Sequence, residues 1–278
     1  MWKIRDHKFV WGERTYLMGV INITPDSFSD GGLYTDLESA LAQADQLAPY
    51  IDILDIGGES TRPDAEPVDS NEEIRRVVPV ITVIRAKYPH LPISIDTTKV
   101  SVASEAIAAG ADIINDVSAG RFDLGMLPFV GKYQVPIVLM HMQGQPRTMQ
   151  KRPYYKNVVA EVSQFLQNGI AMTIACGLPQ DLIAIDPGIG FGKTLEHNLQ
   201  LLRELEKLQN LSCPILVGAS RKSFIGKLCD QDLPSDRLMG TAAACSIAIA
   251  HGADILRVHD AKEIKDVCAI TDAVYRFK

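Results

Sequence analysis

Short apolar runs in this chain end again and again on a polar tip. Ile93-Ser94-Ile95-Asp96, Ile113-Ile114-Asn115-Asp116 and Leu182-Ile183-Ala184-Ile185-Asp186 close on carboxylates or an amide, and Ala253–His259 closes on Arg257-Val258-His259. If the runs are strands, side chains two apart share a face. Ser94 then goes with Asp96, Ile113 with Asn115, Ala184 with Asp186 and Arg257 with His259, while Asp116 points into the strand–helix layer as a structural residue. Acceptors gathered around one amide suit a planar ring with several N–H donors, such as a 2-amino-4-oxo-pyrimidine edge. They would equally suit a divalent cation. Lys222, in Ser220-Arg221-Lys222-Ser223, begins a helix where free backbone N–H groups and a cation together make an anion or carbonyl site. Ser223 there can serve a carboxylate; a plain helix start would explain Ser220 as a cap but not the paired cations, which favours a functional site, and Arg221 reads as solvent-facing. Arg257 can lie on an aromatic ring or bind phosphate, and His259 joins it as a second phosphate donor. In Met140-His141-Met142, parity sends Met140 to the pocket and His141 to packing.

Three loops follow such runs. The first, Asn22-Ile23-Thr24-Pro25-Asp26-Ser27-Phe28-Ser29-Asp30-Gly31-Gly32, is polar and holds one large aromatic residue, Phe28. It is longer than an ordinary strand–helix connection and reads as a lid. The second, Gly57–Pro67, offers the Thr61 hydroxyl and the Arg62 guanidinium, donors suited to phosphate. In the third, Asp186-Pro187-Gly188-Ile189-Gly190-Phe191-Gly192-Lys193, proline and glycines stop the strand, and Phe191 can cover a ring held by Asp186. Its glycine spacing matches neither the dinucleotide fingerprint nor the Walker loop.

The elements that must position these residues are legible from periodicity. Eight apolar or β-branched runs occur: Tyr16–Asn22, Ile51–Gly57, Leu91–Asp96, Ala111–Asp116, Val135–His141, Leu182–Asp186, Pro214–Ala219 and Ala253–His259. Between most of them lie helix-period stretches, such as Leu37-Ala40-Leu41-Ala44-Leu47 and Ile74-Val77-Val78-Ile81-Ile84. Strands alternating with helices pair in parallel, and eight units close into a TIM (β/α)8 barrel with ligands at the C-terminal ends of its strands. Lys3–Trp11 predicts a small N-terminal β-hairpin turning at Gly12-Glu13. The echo between Ala109–Asp116 and His251–Val258 aligns Asn115 with Arg257 and sets both at one level of the barrel. No linker interrupts the pattern, so residues 1–278 read as one domain.

Composition narrows the function. The net charge of −6, without a basic tract, argues against nucleic acid as a partner. The five cysteines are scattered, with no Cys-x-x-Cys or zinc spacing, as expected of reduced thiols in a cytoplasmic protein. No apolar stretch has the length of a signal peptide or membrane span, so no membrane partner is expected.

Taken together, six motifs resemble the dihydropteroate synthase family. They are Gly19–Gly32, Gly57-Gly58-Glu59-Ser60-Thr61-Arg62-Pro63, Ile95-Asp96-Thr97-Thr98-Lys99, Asp186–Lys193, Ser220–Ser223 and Arg257-Val258-His259-Asp260. The resemblance implies a pterin-binding TIM barrel that condenses p-aminobenzoate with 6-hydroxymethyl-7,8-dihydropterin diphosphate in folate biosynthesis. It gives Asp96, Asn115, Asp186 and Lys222 to the pterin, beside Met140, which strand parity turns into the same pocket. It gives Asn22, Arg62, Arg257 and His259 to the diphosphate, with Asn22 also ligating Mg²⁺. Phe28, Thr61, Pro63, Phe191 and Ser223 fall to the p-aminobenzoate pocket, and Asp96, Lys222 and Arg257 to catalysis. It also implies a homodimer through helices of the late barrel, for which Ala242–Ala250 offers a smooth helical surface that plain core packing would explain equally well. A pterin-dependent methyltransferase and a non-catalytic pterin-binding module are the rival readings.

Overall fold

The computed structural model describes residues 1–23, 33–60 and 66–276. Two short strands, β1 (Trp2–Ile4) and β2 (His7–Phe9), precede the alternating pattern. The first half of that pattern runs β3 (Tyr16–Asn22), α1 (Leu33–Leu47), β4 (Ile53–Gly57), α2 (Ser70–Lys87), β5 (Ile93–Asp96), α3 (Val100–Ala109), β6 (Ile113–Asp116) and α4 (Met126–Tyr133). The second runs β7 (Ile137–Met140), α5 (Val158–Ala175), β8 (Ile183–Asp186), α6 (Leu195–Arg203), β9 (Leu216–Val217), α7 (Ser223–Cys229), α8 (Leu238–Ala250), β10 (Ile255–Val258) and α9 (Ala261–Tyr275). Among the described residues, β3 to β10 form one parallel eight-stranded sheet in the order β8-β7-β6-β5-β4-β3-β10-β9. A bridge between Ile185 and Ile215 closes the seam, where the Ile185 N–H donates to the Pro214 carbonyl at 2.9 Å. This is the expected TIM barrel.

Every residue of β5, β7 and β8 is buried, which is why these strands read as unbroken apolar runs and not as alternating ones. Residues of one parity, among them Leu54, Ile56, Ile95, Ile114, Leu139 and Ile185, pack outward against the helices. The opposite parity faces the lumen, whose lower part is filled by Met18, Ile53, Ile113, Val138, Ala184, Leu216 and Ile255. Trp2 and Phe9 of the hairpin join that inner cluster and plug the barrel floor. The hairpin turns at Arg5-Asp6, not at Gly12-Glu13. Pairing Trp2 with Phe9 puts both aromatics on the barrel side, and Gly12 serves the later bend into β3.

Helix ends follow local chemistry. Asp69 caps α2 by accepting from the Asn71 and Glu72 N–H groups at 2.9 and 3.1 Å. Gly110 ends α3 with φ of +116°, a left-handed conformation, so that Ile113 can start β6 three residues later. Among the described residues no helix is long and apolar enough to cross a membrane.

Candidate active site

The strand register sets four polar or small positions side by side. Asn22 is the partner of Gly57, Gly57 of Asp96, and Asp96 of Asn115. Met140 is the partner of Asp186 on the other side of the mouth. Parity makes this a lumen-facing layer directly above the apolar plug, because Ile113 and Ala184 lie two residues before Asn115 and Asp186. Asp96, Asn115 and Asp186 are 8%, 3% and 5% exposed, so a flat ligand here meets dry acceptors.

Arg257 ties the layer to the one below. Its Nε donates to Asp55 Oδ2 at 2.6 Å and its Nη2 to Asp96 Oδ2 at 2.7 Å. The same Asp55 oxygen accepts from Asn115 Nδ2 at 3.3 Å, so Asn115 and Arg257 do meet at one level. Burial pushes the Asp96 carboxyl up to about 7; Arg257 opposes the rise, while Asp55, Glu73 and Asp116 add to it. Burial alone would lower Arg257, but the charges of Asp55 and Asp96 outweigh it and hold the guanidinium above its ordinary value. The acidic tips therefore converge on a guanidinium. That arrangement disfavours a metal held by the carboxylates, and no cluster of three or more His, Cys, Asp or Glu suited to a metal occurs among the described residues.

Asp186 meets the glycine loop. Its Oδ1 accepts from the Gly188 N–H at 2.6 Å. Burial pushes this carboxyl up to about 6, against that hydrogen bond and the charges of Lys222, Lys193 and Arg257. Gly188 has φ of +68°, and a Cβ on it would lie 1.9 Å from the His141 carbonyl oxygen, so only glycine fits. The loop returns Phe191 over the mouth, where it packs with Val117, Met140, Met142 and Met149. Lys222 Nζ sits 4.1 Å from the centre of the Phe191 ring, a cation–π pair beside the Asp186 carboxylate.

The family model described as "Pterin binding enzyme" matches residues 18–259. The chain belongs to that family. It is 47% identical over 269 residues to the dihydropteroate synthase of a Synechocystis strain, covering 96% of this chain and 93% of that one. Among solved structures, a Yersinia pestis dihydropteroate synthase with a sulfonamide drug complex superposes with a TM-score of 0.91 at 41% identity, covering 99% of both chains. A Xanthomonas albilineans dihydropteroate synthase in complex with 7,8-dihydropteroate gives a TM-score of 0.86 at 44% identity, covering 95% of each.

In this pterin-binding barrel the sequence-derived residues fall into three groups. Asn22, Asp96, Asn115, Met140, Asp186, Phe191, Lys222, Arg257 and His259 all come from the strand ends or loops around the same mouth. Ser223 is exposed at the first position of α7. Phe28, Thr61, Arg62 and Pro63 lie outside the described residues. Asp116 points away as expected, accepting from the Ser118 N–H and Oγ and from the Gly120 N–H, each at 2.7 Å. Two expectations need correction. Ser220 is not a helix cap: its Oγ lies 3.1 Å from His259 Nδ1 and accepts from the His259 N–H at 3.3 Å. Arg221 is not simply solvent-facing, since it pairs through two donors with Asp260. Both differences arise because the ends of β9 and β10 are neighbours in the closed barrel. Burial, together with Arg257 and Arg221, lowers His259 to about 4.

Asn22 offers a neutral carboxamide oxygen at the end of β3. A Cβ on Gly57 would lie 3.5 Å from Asn22 Oδ1 and 3.7 Å from Asp96 Oδ2, room that glycine leaves free. One hard oxygen donor fits Mg²⁺, which takes few protein ligands and completes its shell with waters and the substrate's phosphate oxygens.

Sequence reasoning missed Asp55 and gave Lys193 no role. Asp55 was marked by being the one charged residue inside Ile53-Leu54-Asp55-Ile56-Gly57, with the lumen parity of Ile53. Lys193 carried no such signal, because nothing local distinguishes a buried lysine from an exposed one.

Proposed function

We propose that this pterin-binding barrel is the transferase that joins p-aminobenzoate to 6-hydroxymethyl-7,8-dihydropterin diphosphate, giving 7,8-dihydropteroate and pyrophosphate in folate biosynthesis. The observation that carries the reading is the buried layer of Asp96, Asn115 and Asp186, set against Arg257 and Lys222. Carboxylates and an amide accept from and donate to the pyrimidine edge of a pterin, and the neighbouring cations suit a diphosphate.

In the reaction, the bond from the exocyclic methylene carbon to the diphosphate oxygen breaks, and pyrophosphate departs with the bonding pair. The electron-rich dihydropterin stabilises the cation left behind, so the step is SN1-like. The aryl amine nitrogen then forms the new C–N bond and releases a proton. Asp96 stabilises positive charge on the ring system, while Arg257, Arg62 and His259 receive the departing negative charge. Asp186, Lys222 and Met140 hold the pterin. Phe28, Thr61, Pro63, Phe191 and Ser223 shape the aryl amine's approach and keep out water that would capture the cation. Asn22 would hold Mg²⁺, which when bound neutralises charge on the diphosphate oxygens.

The arrangement favours the synthase over a methyltransferase, which has no need of cations beside a diphosphate; a non-catalytic module would bind the pterin diphosphate but never release pyrophosphate. Incubation with both substrates and Mg²⁺ should yield pyrophosphate and dihydropteroate in equal amounts. Binding of the pterin diphosphate without either product would sink the reading. The reading extends to a cytoplasmic homodimer. Support comes from the free cysteines Cys176, Cys213, Cys229, Cys245 and Cys268 and from the exposed apolar side chains Met239, Ile247, Ile270 and Val274 on α8 and α9. A monomer mass in sedimentation equilibrium would refute the dimer.

A further inference from the structure

Lys193 is one of the most deeply buried charged side chains of the barrel, 3% exposed, although it follows a loop of glycines at the barrel mouth. Its Nζ lies 2.9 Å from His141 Nδ1 and donates to the Phe191 carbonyl at 3.0 Å, with the His141 carbonyl at 3.4 Å. The His141 ring is itself wedged edge-on against Phe165 and tilted against Tyr155. A lysine is rarely taken out of water without a partner for its charge. None of the three acceptors is a carboxylate; the negative charge acting on Lys193 is that of Asp186.

We propose that Lys193 is a positioning residue of the reaction: it pins the Phe191 carbonyl and supplies the charge that keeps Asp186 ready to accept from the pterin. The inference rests on the reading of this mouth as a pterin site. Two lines of geometry support it. The glycine loop is fastened by buried neutral groups, with Tyr155 Oη donating to the Gly192 carbonyl at 2.8 Å and the Gly190 N–H donating to Asn198 Oδ1 at 2.7 Å. Lys193 adds a charged donor to the same loop, and the carbonyl it holds belongs to the residue whose ring stacks on Lys222. The position that a Cβ of Gly188 would take lies 3.4 Å from Lys193 Nζ, and the Gly188 N–H is the donor to Asp186. Lys193 and Asp186 thus grip the same turn from two sides.

The charged and titratable groups around the pair are His141 at the end of β7, Asp186 at the end of β8, Lys222 before α7, Arg257 on β10, Tyr155 before α5 and Arg121 after β6. Burial lowers Lys193 to about 7, with Lys222 adding to the fall and Asp186 opposing it. Burial, Lys193 and Arg121 lower His141 to about 2, so His141 stays neutral and serves as an acceptor. The Lys193 charge in turn lowers the Asp186 carboxyl. Removing that charge raises Asp186, and the carboxylate needed by the pterin is then lost at a higher pH.

The test compares wild type with Lys193→Met, measuring KM for each substrate, the pH dependence of kcat/KM for the pterin diphosphate, and thermal unfolding. The variant should raise KM for the pterin diphosphate by about 10- to 100-fold, the worth of one or two charge-assisted contacts, and raise KM for p-aminobenzoate less, through the Phe191 that Lys193 holds. The acid limb of its pH profile should move to higher pH. Should this variant fail to fold, Lys193→Gln keeps N–H donors for His141 and Phe191 while removing the charge, and carries the same shift of the acid limb. A wild-type acid limb, or equal losses on both substrates that track a lower Tm, would overturn the proposal. Absence of product with wild-type enzyme would instead overturn the synthase reading itself, so the two failures are distinct.

Discussion

Arg257→Met removes one guanidinium and strands two carboxylates. Asp55 is fully buried and Asp96 is 8% exposed, and their contacts to Arg257 are 2.6 and 2.7 Å. Breaking a buried ion pair from one side typically destabilises by about 3–5 kcal/mol, because the remaining charge has neither water nor partner. The pH dependence sharpens the expectation. Asp96 is pushed up to about 7 even with Arg257 present. A carboxyl raised above its unfolded value of about 3.9 contributes stability that is present below that pH and is lost as pH rises through the folded value. In the wild type this loss stops near pH 7. Without the guanidinium Asp96 moves further up, and the loss continues, at about 1.4 kcal/mol per pH unit. The destabilisation caused by Arg257→Met should therefore be larger at pH 8 than at pH 5, by up to about 1.4 kcal/mol from Asp96 alone. Urea unfolding of both proteins at the two pH values, followed by circular dichroism, measures the difference. A penalty that is the same at pH 5 and pH 8, or a variant as stable as wild type at pH 8, would refute the reasoning. Measured on folded protein at pH 8, kcat/KM should also fall by roughly 10²–10³, the scale of removing one preorganised electrostatic group.

Gly188→Ala forces a Cβ to within 1.9 Å of the His141 carbonyl oxygen at φ of +68°. It should lower stability by more than about 1–2 kcal/mol and abolish pterin binding in calorimetry; unchanged affinity would show that the loop is not held as described. Asp116→Ala removes the acceptor of three 2.7 Å hydrogen bonds and should lower stability by about 3 kcal/mol. Its KM values should stay at wild type once the protein is folded, and a selective rise in KM would place Asp116 in the site. Chelation of Mg²⁺ should abolish binding of the pterin diphosphate while sparing 6-hydroxymethylpterin, which lacks the diphosphate. Equal loss of both ligands in titration calorimetry would remove Asn22 from its role as metal ligand.

Much of this protein is legible in its sequence because strand and helix periods are local. Alternation two residues apart places Ser94 with Asp96, Ile113 with Asn115 and Ala184 with Asp186, and turns Asp116 outward, without reference to any tertiary contact. Gly110 and Pro187 mark where a helix or a strand must stop, for reasons contained in one residue's backbone. The hairpin turn is not legible locally, because Gly12 is a sufficient local turn signal, whereas the turn actually used follows from which face Trp2 and Phe9 must present to the barrel floor.

What the amino-acid order could not determine is which groups meet after the barrel closes. Arg257 finds Asp55 across 202 positions of chain and Asp96 across 161. Lys193 finds His141 across 52. Sequence periodicity says which way each side chain points, but only closure of the sheet decides what it points at. The protonation of Asp96, Asp186 and Lys193 follows from that closure, since burial and neighbouring charge set it together.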